Sequence, residues 1–176
     1  MARRPTKQLD AGRAFFGQLL GIDVAHFGAL WHLFTVGHLV STDLDEVAGR
    51  IGCSFADLDL LGTLAIDEDR AMRATDLASA LYVSNAVISV RVRRLLGQGL
   101  ILRERHPDDR RAFALRLTDE GRALIRHALP LVAGHAKIVR FFGQLLPADR
   151  DHLVRILGEL HQRYDREFVG KPYCDD

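Results

Sequence analysis

A mainly α fold with one small β-hairpin is predicted from three observations. Apolar residues return at helical spacing along most of the 176 residues. Apolar–polar alternation occurs in two short stretches, on either side of an Arg-rich turn from His106 to Arg111. Directly before them lie a short helical segment, a tight turn and a longer Ser-started amphipathic stretch. Helix, turn, helix, strand, basic turn, strand is the layout of a winged helix. The predicted class is a winged helix-turn-helix with helical regions at both ends of the chain.

Residues 8–20 place Leu9, Phe15, Phe16, Leu19 and Leu20 among polar positions, a short helix closed by Gly21. A longer periodic stretch runs from about Val24 to Arg50. Its apolar face, with Phe27, Leu30, Trp31, Phe34, His38 and Val40, is wide enough to imply burial on more than one side. Ser54 and Asp57 read as a capping box with Asp in place of Glu, opening a helix from about Phe55 to Ile66.

Thr75 is the expected cap of the next helix, whose inner face is Leu77, Ala78 and Leu81, and Tyr82 and Val83 make the turn. Ser84 then caps a helix to Gln98. Its Ile88, Val92, Leu95 and Leu96 follow i, i+4, i+7, i+8 and face inward. Asn85, Ser89 and Arg93 follow i, i+4, i+8 on the polar side. Thr118 caps a further helix to about Phe142, with a kink or break expected near Pro130. Pro147 opens the last helix, 147–166, with Leu153, Ile156, Leu157 and Leu160 as its stripe, before a frayed GKPYCDD tail.

Composition narrows the function. With 48% hydrophobic and 27% charged residues the chain reads as an ordinary globular protein, and no apolar run reaches membrane-span length. The N-terminus lacks a signal-peptide h-region, so a cytoplasmic location is expected, with no membrane partner. Two cysteines, Cys53 and Cys174, are too few for a disulfide framework. His26, His32 and His38 are spaced i+6 and share no helical face, so no metal is expected. No phosphate-binding Gly loop and no nucleophile elbow occurs, so neither a cofactor nor an enzyme is expected. The charge is concentrated: residues 84–111 hold seven arginines against three acids, in a chain of net charge +1. Such a strip suits a phosphate backbone, so double-stranded DNA is the expected partner.

The segment DDRRAFALRLTDEGRAL, Asp108 to Leu124, resembles the wing signature of the MarR family of bacterial transcriptional regulators, and the likeness extends over nearly the whole chain. In that signature an Asp-x-Arg unit, here Asp109-Arg110-Arg111, precedes alternating apolar residues and Leu-Thr-x-x-Gly. The resemblance implies that Asp109 orients Arg111 into the minor groove, with Arg110 on a phosphate. It implies recognition of the major groove from Ser84, Asn85, Ala86, Ser89, Val90 and Arg93. It also implies a homodimer on a pseudo-palindromic operator. Residues 1–53 and 119–176 would form the helical dimerisation region, and 54–118 the winged helix-turn-helix, within one continuous domain.

SFADLDLLGTL, with Arg91 and Arg103 beyond it, is similar to the urate-responsive branch of that family. The resemblance implies an effector pocket whose polar part is Asp59, Arg91 and Arg103. Where that branch carries a ligand-stacking Trp in its first helix, this chain has Phe16. The expected effector therefore widens to a small aromatic or heterocyclic anion: an indole, phenoxy or phenolic acid, or a purine. Trp31 is a second candidate wall, or else a core or interface residue. The expected function is a ligand-responsive repressor. The alternatives are an effector-independent DNA-binding protein, or a thiol sensor using Cys53 at a helix start.

Overall fold

Ten elements follow one another: α1 (Pro5–Leu20), α2 (Phe27–Gly49), α3 (Phe55–Ile66), α4 (Ala74–Ala80), α5 (Asn85–Gly97), β1 (Ile101–Arg105), β2 (Phe113–Leu117), α6 (Asp119–His135), α7 (Lys137–Gln144) and α8 (Pro147–Phe168). The computed structural model describes residues 5–20, 26–107, 109 and 111–168. Gly21, Val24, Asp108, Arg110 and the tail with Cys174 lie outside the described residues. The chain divides into two compact units, Met1–Asp43 and Leu44–Asp176. The boundary falls inside α2, and the C-terminal helices share a unit with the winged helix-turn-helix.

In the first unit the Phe16 ring meets Phe15 edge-on and Phe27 at a tilt, each at 5.3 Å between centroids. Along α2, Leu30, Leu33, Phe34, Val36 and Leu39 are exposed, Phe34 at 77%.

The second unit is built on caps and one core. Ser54 Oγ accepts the Asp57 N–H at 3.1 Å, and Asp57 Oδ2 accepts the Ser54 N–H at 3.3 Å. This reciprocal box starts α3 where the sequence predicted. The start of α4 differs: its N-cap is Arg73, not Thr75. Asp76 at N3 accepts the Arg73 N–H at 2.8 Å, so the carboxylate satisfies the helix end without a capping hydroxyl. Tyr82 takes φ +52° in the turn, and Ser84 Oγ receives the Val87 N–H at 3.3 Å to start α5. Gly99 ends that helix at φ +70°, a conformation that suits a residue without Cβ.

β1 and β2 pair antiparallel, from Ile101↔Leu117 to Arg105↔Phe113, and Met72 adds a bridge to Leu115. Leu60, Leu61 and Leu64 of α3 pack with Leu77, Ile88, Val92, Leu95, Ile101 and Leu115 in one cluster. The inward α5 residues are therefore the ones the periodicity selected, except that Leu96 is only half-buried. Thr118 caps α6 by accepting the Gly121 N–H at 3.0 Å. A Cβ on Gly121 would lie 2.1 Å from the Leu100 carbonyl oxygen, which explains the glycine in Leu-Thr-x-x-Gly.

The helix after the wing does not break at Pro130. α6 runs through the proline, and the chain turns extended at Ala136 (φ −67°, ψ 127°) before α7 begins. Pro130 is exposed, and a missing N–H there removes one ladder bond without ending the helix. α8 starts at Pro147 as predicted, but its stripe is not covered: Val154, Ile156, Leu157, Leu160 and Tyr164 are exposed. No described helix is long and apolar enough to cross a membrane.

Candidate nucleic-acid interface

The amphipathicity of α5 sorts its residues into two groups. Ile88, Val92 and Leu95 are sealed in the core, while Asn85, Ala86, Ser89, Val90 and Arg93 are exposed and Ser84 is half-buried at the cap. A helix held by one face presents the other, polar and cationic, to a groove. Not every arginine of the helix is available. Arg94 bonds the buried Asp57 carboxylate and reaches Ser54 Oγ at 3.5 Å, so it ties α5 to the start of α3. No local pattern signals this pairing, because the partners stand 37 positions apart.

In the wing, Asp109 Oδ1 accepts the Arg111 backbone N–H at 2.9 Å, and the Asp109 carbonyl accepts the Ala112 N–H at 3.0 Å. Asp109 thus fixes the backbone at Arg111 through a turn rather than through the guanidinium. The Arg111 residue is exposed. His106 N–H closes the loop onto the Ala112 carbonyl at 3.1 Å, and the His106 ring bonds the Ala71 carbonyl at 3.0 Å. Glu104, one of the three acids in the basic strip, pairs across the hairpin with Arg116 at 3.3 Å. Arg110 lies outside the described residues.

The five residues expected around an effector fall into different places. Asp59 lines a cavity of about 310 Å³ between α3 and α6, walled by Phe55, Leu58, Ile66, Ile125, Leu129 and Val132, with Thr63 its other side-chain hydrogen-bonding group. Desolvation by this apolar wall raises the Asp59 pKa, and the nearby Arg91 charge lowers it in part. Arg91 and Asp59 are therefore electrostatic neighbours, although Arg91 is not part of the cavity wall. Arg103 lines another cavity, of about 400 Å³, with Arg73, Thr75 and Phe113. The three residues do not share a described cavity. Phe16 and Trp31 belong to the first compact unit, where Trp31 meets His32 edge-on at 4.9 Å.

Cys53 does not have the lowered pKa expected of a thiol at a helix start. Burial raises it, and the Asp57 carboxylate adds to the rise. The carboxylate already occupies the helix end that would have stabilised a thiolate. Among the described residues no group of three His, Cys, Asp or Glu side chains is placed to hold a metal.

Known proteins share this arrangement. The MarR family pattern matches residues 64–113, from the end of α3 to the first residue of β2. The HTH-type transcriptional repressor YetL of Bacillus subtilis is 27% identical over 81% of this chain and 84% of its own length. A MepR-like protein solved with pseudoligands is 31% identical, covers 77% of this chain and 94% of its own, and superposes with a TM-score of 0.57. The transcriptional repressor CouR, solved on a 23-mer DNA duplex, is 26% identical, covers 80% of this chain and 98% of its own, and has a TM-score of 0.67. The wing signature, the polar face of α5 and these relatives agree: the chain belongs to the MarR family of DNA-binding transcriptional regulators, and it is not an enzyme.

Proposed function

We propose that the chain is a homodimeric, effector-released repressor. The observation that carries the DNA-binding part is the division of α5 into a sealed apolar face and an exposed polar one, next to a wing whose Arg111 is exposed. Asn85, Ala86, Ser89, Val90 and Arg93, with Ser84 at the cap, meet base edges and phosphates in the major groove. Arg111 enters the minor groove from a backbone that Asp109 holds, and Arg110 contacts a phosphate. CouR on its duplex is the relative that supports this assignment. Two copies, joined by the exposed apolar residues of α2 and α8, place two such heads on a pseudo-palindromic operator. Such a repressor works in the cytoplasm.

The effector reading rests on the α3–α6 cavity. Its apolar walls suit a flat aromatic or heterocyclic body. An anionic head must be met by Arg91, since an ionised Asp59 alone repels it. Displacement of α3 by a ligand would reach DNA through Asp57, which holds Arg94 of the recognition helix. The ligand acts as inducer only to the extent that it binds the DNA-incompetent arrangement better.

Two measurements test the proposal. Binding to duplex DNA selected from a random pool by the wild-type protein should weaken linearly on a log–log salt plot, as counterion release requires. A flat plot removes the cationic strip from the interface. Calorimetry against indole, phenoxy and phenolic acids and urate should show binding that Asp59→Asn or Arg91→Ala alters. Equal binding to wild type and both variants places the effector elsewhere.

A further inference from the structure

The turn between α4 and α5 holds a residue that sits badly there. Tyr82 takes φ +52°, a left-handed conformation that favours glycine and costs a side-chain-bearing residue. Its hydroxyl explains what the side chain is doing. It donates to Asp165 Oδ1 at 2.9 Å and lies 2.9 Å from His161 Nε2. The one phenolic proton goes to the carboxylate, so His161 donates its Nε2–H to the phenol oxygen. The two rings also meet edge-on at 5.5 Å.

His161 and Asp165 are i, i+4 neighbours on α8 and continue the row of Leu153 and Leu157. One line of α8 is therefore apolar in its first half and hydrogen-bonds the helix-turn-helix in its second.

We propose that Tyr82, His161 and Asp165 form a latch through which α8 holds the turn that aims the recognition helix. The inference rests on the DNA-binding reading above and extends it to regulation. A latched turn is pre-organised, so α5 keeps one orientation and binding DNA does not have to fix it. Movement of α8, the helix whose apolar row meets the second copy in the proposed dimer, releases the turn and loosens the reading head. Coupling of this kind needs an element with two arrangements, and the hydrogen-bonded turn supplies one of them.

The test uses the full chain with Tyr82→Phe, Asp165→Ala, their double variant and Asp165→Asn, which keeps an acceptor oxygen. Hydrogen exchange without DNA reads the latch directly. Tyr82→Phe and Asp165→Ala should each speed exchange of residues 158–168 and 80–86 by roughly tenfold, and the double variant by no more than either. Asp165→Asn should keep most of the protection. On the selected duplex the same two single variants should bind roughly two- to thirtyfold more weakly. Unchanged exchange in Tyr82→Phe, or additive effects in the double variant, overturns the latch. So does operator affinity that is unchanged or raised in both single variants. If the wild type selects no duplex, the DNA-binding reading fails, and the exchange data still decide whether the latch exists.

Discussion

From α3 to β2 the chain covers its own apolar residues; along α2 and α8 it leaves them bare. Leu60, Leu61, Leu77, Ile88 and Leu95 have no exposed surface, whereas Phe34 and Val154 keep 77% and 67% of theirs. Both regions have amphipathic helices, so patterning alone does not separate them. The difference lies in what each apolar face meets. In the reading head three helices and a hairpin close around one cluster. In the end helices the faces await a surface that this single chain does not supply among its described residues. Contiguous apolar patches of that kind mark an interaction site. The contrast teaches that the region from α3 to β2 closes its own core, and that α2 and α8 carry apolar faces open to a partner surface.

The largest expected effect tests the first half of that contrast. Leu61→Ala, in the centre of the cluster, should cost about 2–5 kcal/mol in urea unfolding, as truncations in sealed cores do. A loss below about 1 kcal/mol would mean that the head is loosely packed and leans on the helices around it. The second half is tested by Phe34→Glu. It should leave the unfolding of the reading head nearly unchanged and weaken self-association by about 2 kcal/mol, the scale of a central interface aromatic. Sedimentation over a concentration series reads this. Unaltered association of the variant would move the dimer contact away from α2.

Arg111→Ala separates function from both. The residue is exposed at the wing and no core contact depends on it, so stability and association should stay as they are. Duplex affinity should fall by about 1–3 kcal/mol at matched salt. An affinity unchanged by this variant would take the wing out of the DNA interface.

Legibility followed the same divide. Elements opened by a hydroxyl cap were readable: Ser54, Ser84 and Thr118 each start a helix where the pattern places them. α4 was not, because an Arg N-cap with Asp76 behind it resembles no capping signal, and Thr75 nearby resembles one. The break expected near Pro130 falls at Ala136, because an exposed proline removes one ladder bond and can ride within the helix until the chain turns extended. The exposed polar face of α5 was legible because spacing on one helix determines a face. Which cavity each expected effector residue lines was not, because Asp59, Arg91 and Arg103 stand on three elements, and no spacing within any one of them reports which cavity a neighbour faces. Arg94 likewise counted toward the cationic strip until its bond to Asp57 was seen.

Asp59 offers the smallest effect and the sharpest check on the cavity. Its residue keeps contact with solvent, yet the apolar wall raises its pKa more than Arg91 lowers it. The folded chain therefore holds this proton more tightly than the unfolded chain does. By linkage, that contribution to stability is present below the ordinary carboxylate range and is lost as pH rises through the raised folded value. Asp59→Asn cannot lose a proton, so its stability should fall less across this window than that of the wild type. Urea midpoints of the two proteins, compared at closely spaced pH values from about pH 3 to about pH 7, give the difference directly. Curves that stay parallel would mean that Asp59 is fully hydrated and the cavity wall does not reach it. If the wild type instead gains stability relative to Asp59→Asn over the same range, the Arg91 charge outweighs the burial. The pair would then favour an ionised Asp59, and an anionic effector would have to displace that carboxylate to reach the arginine.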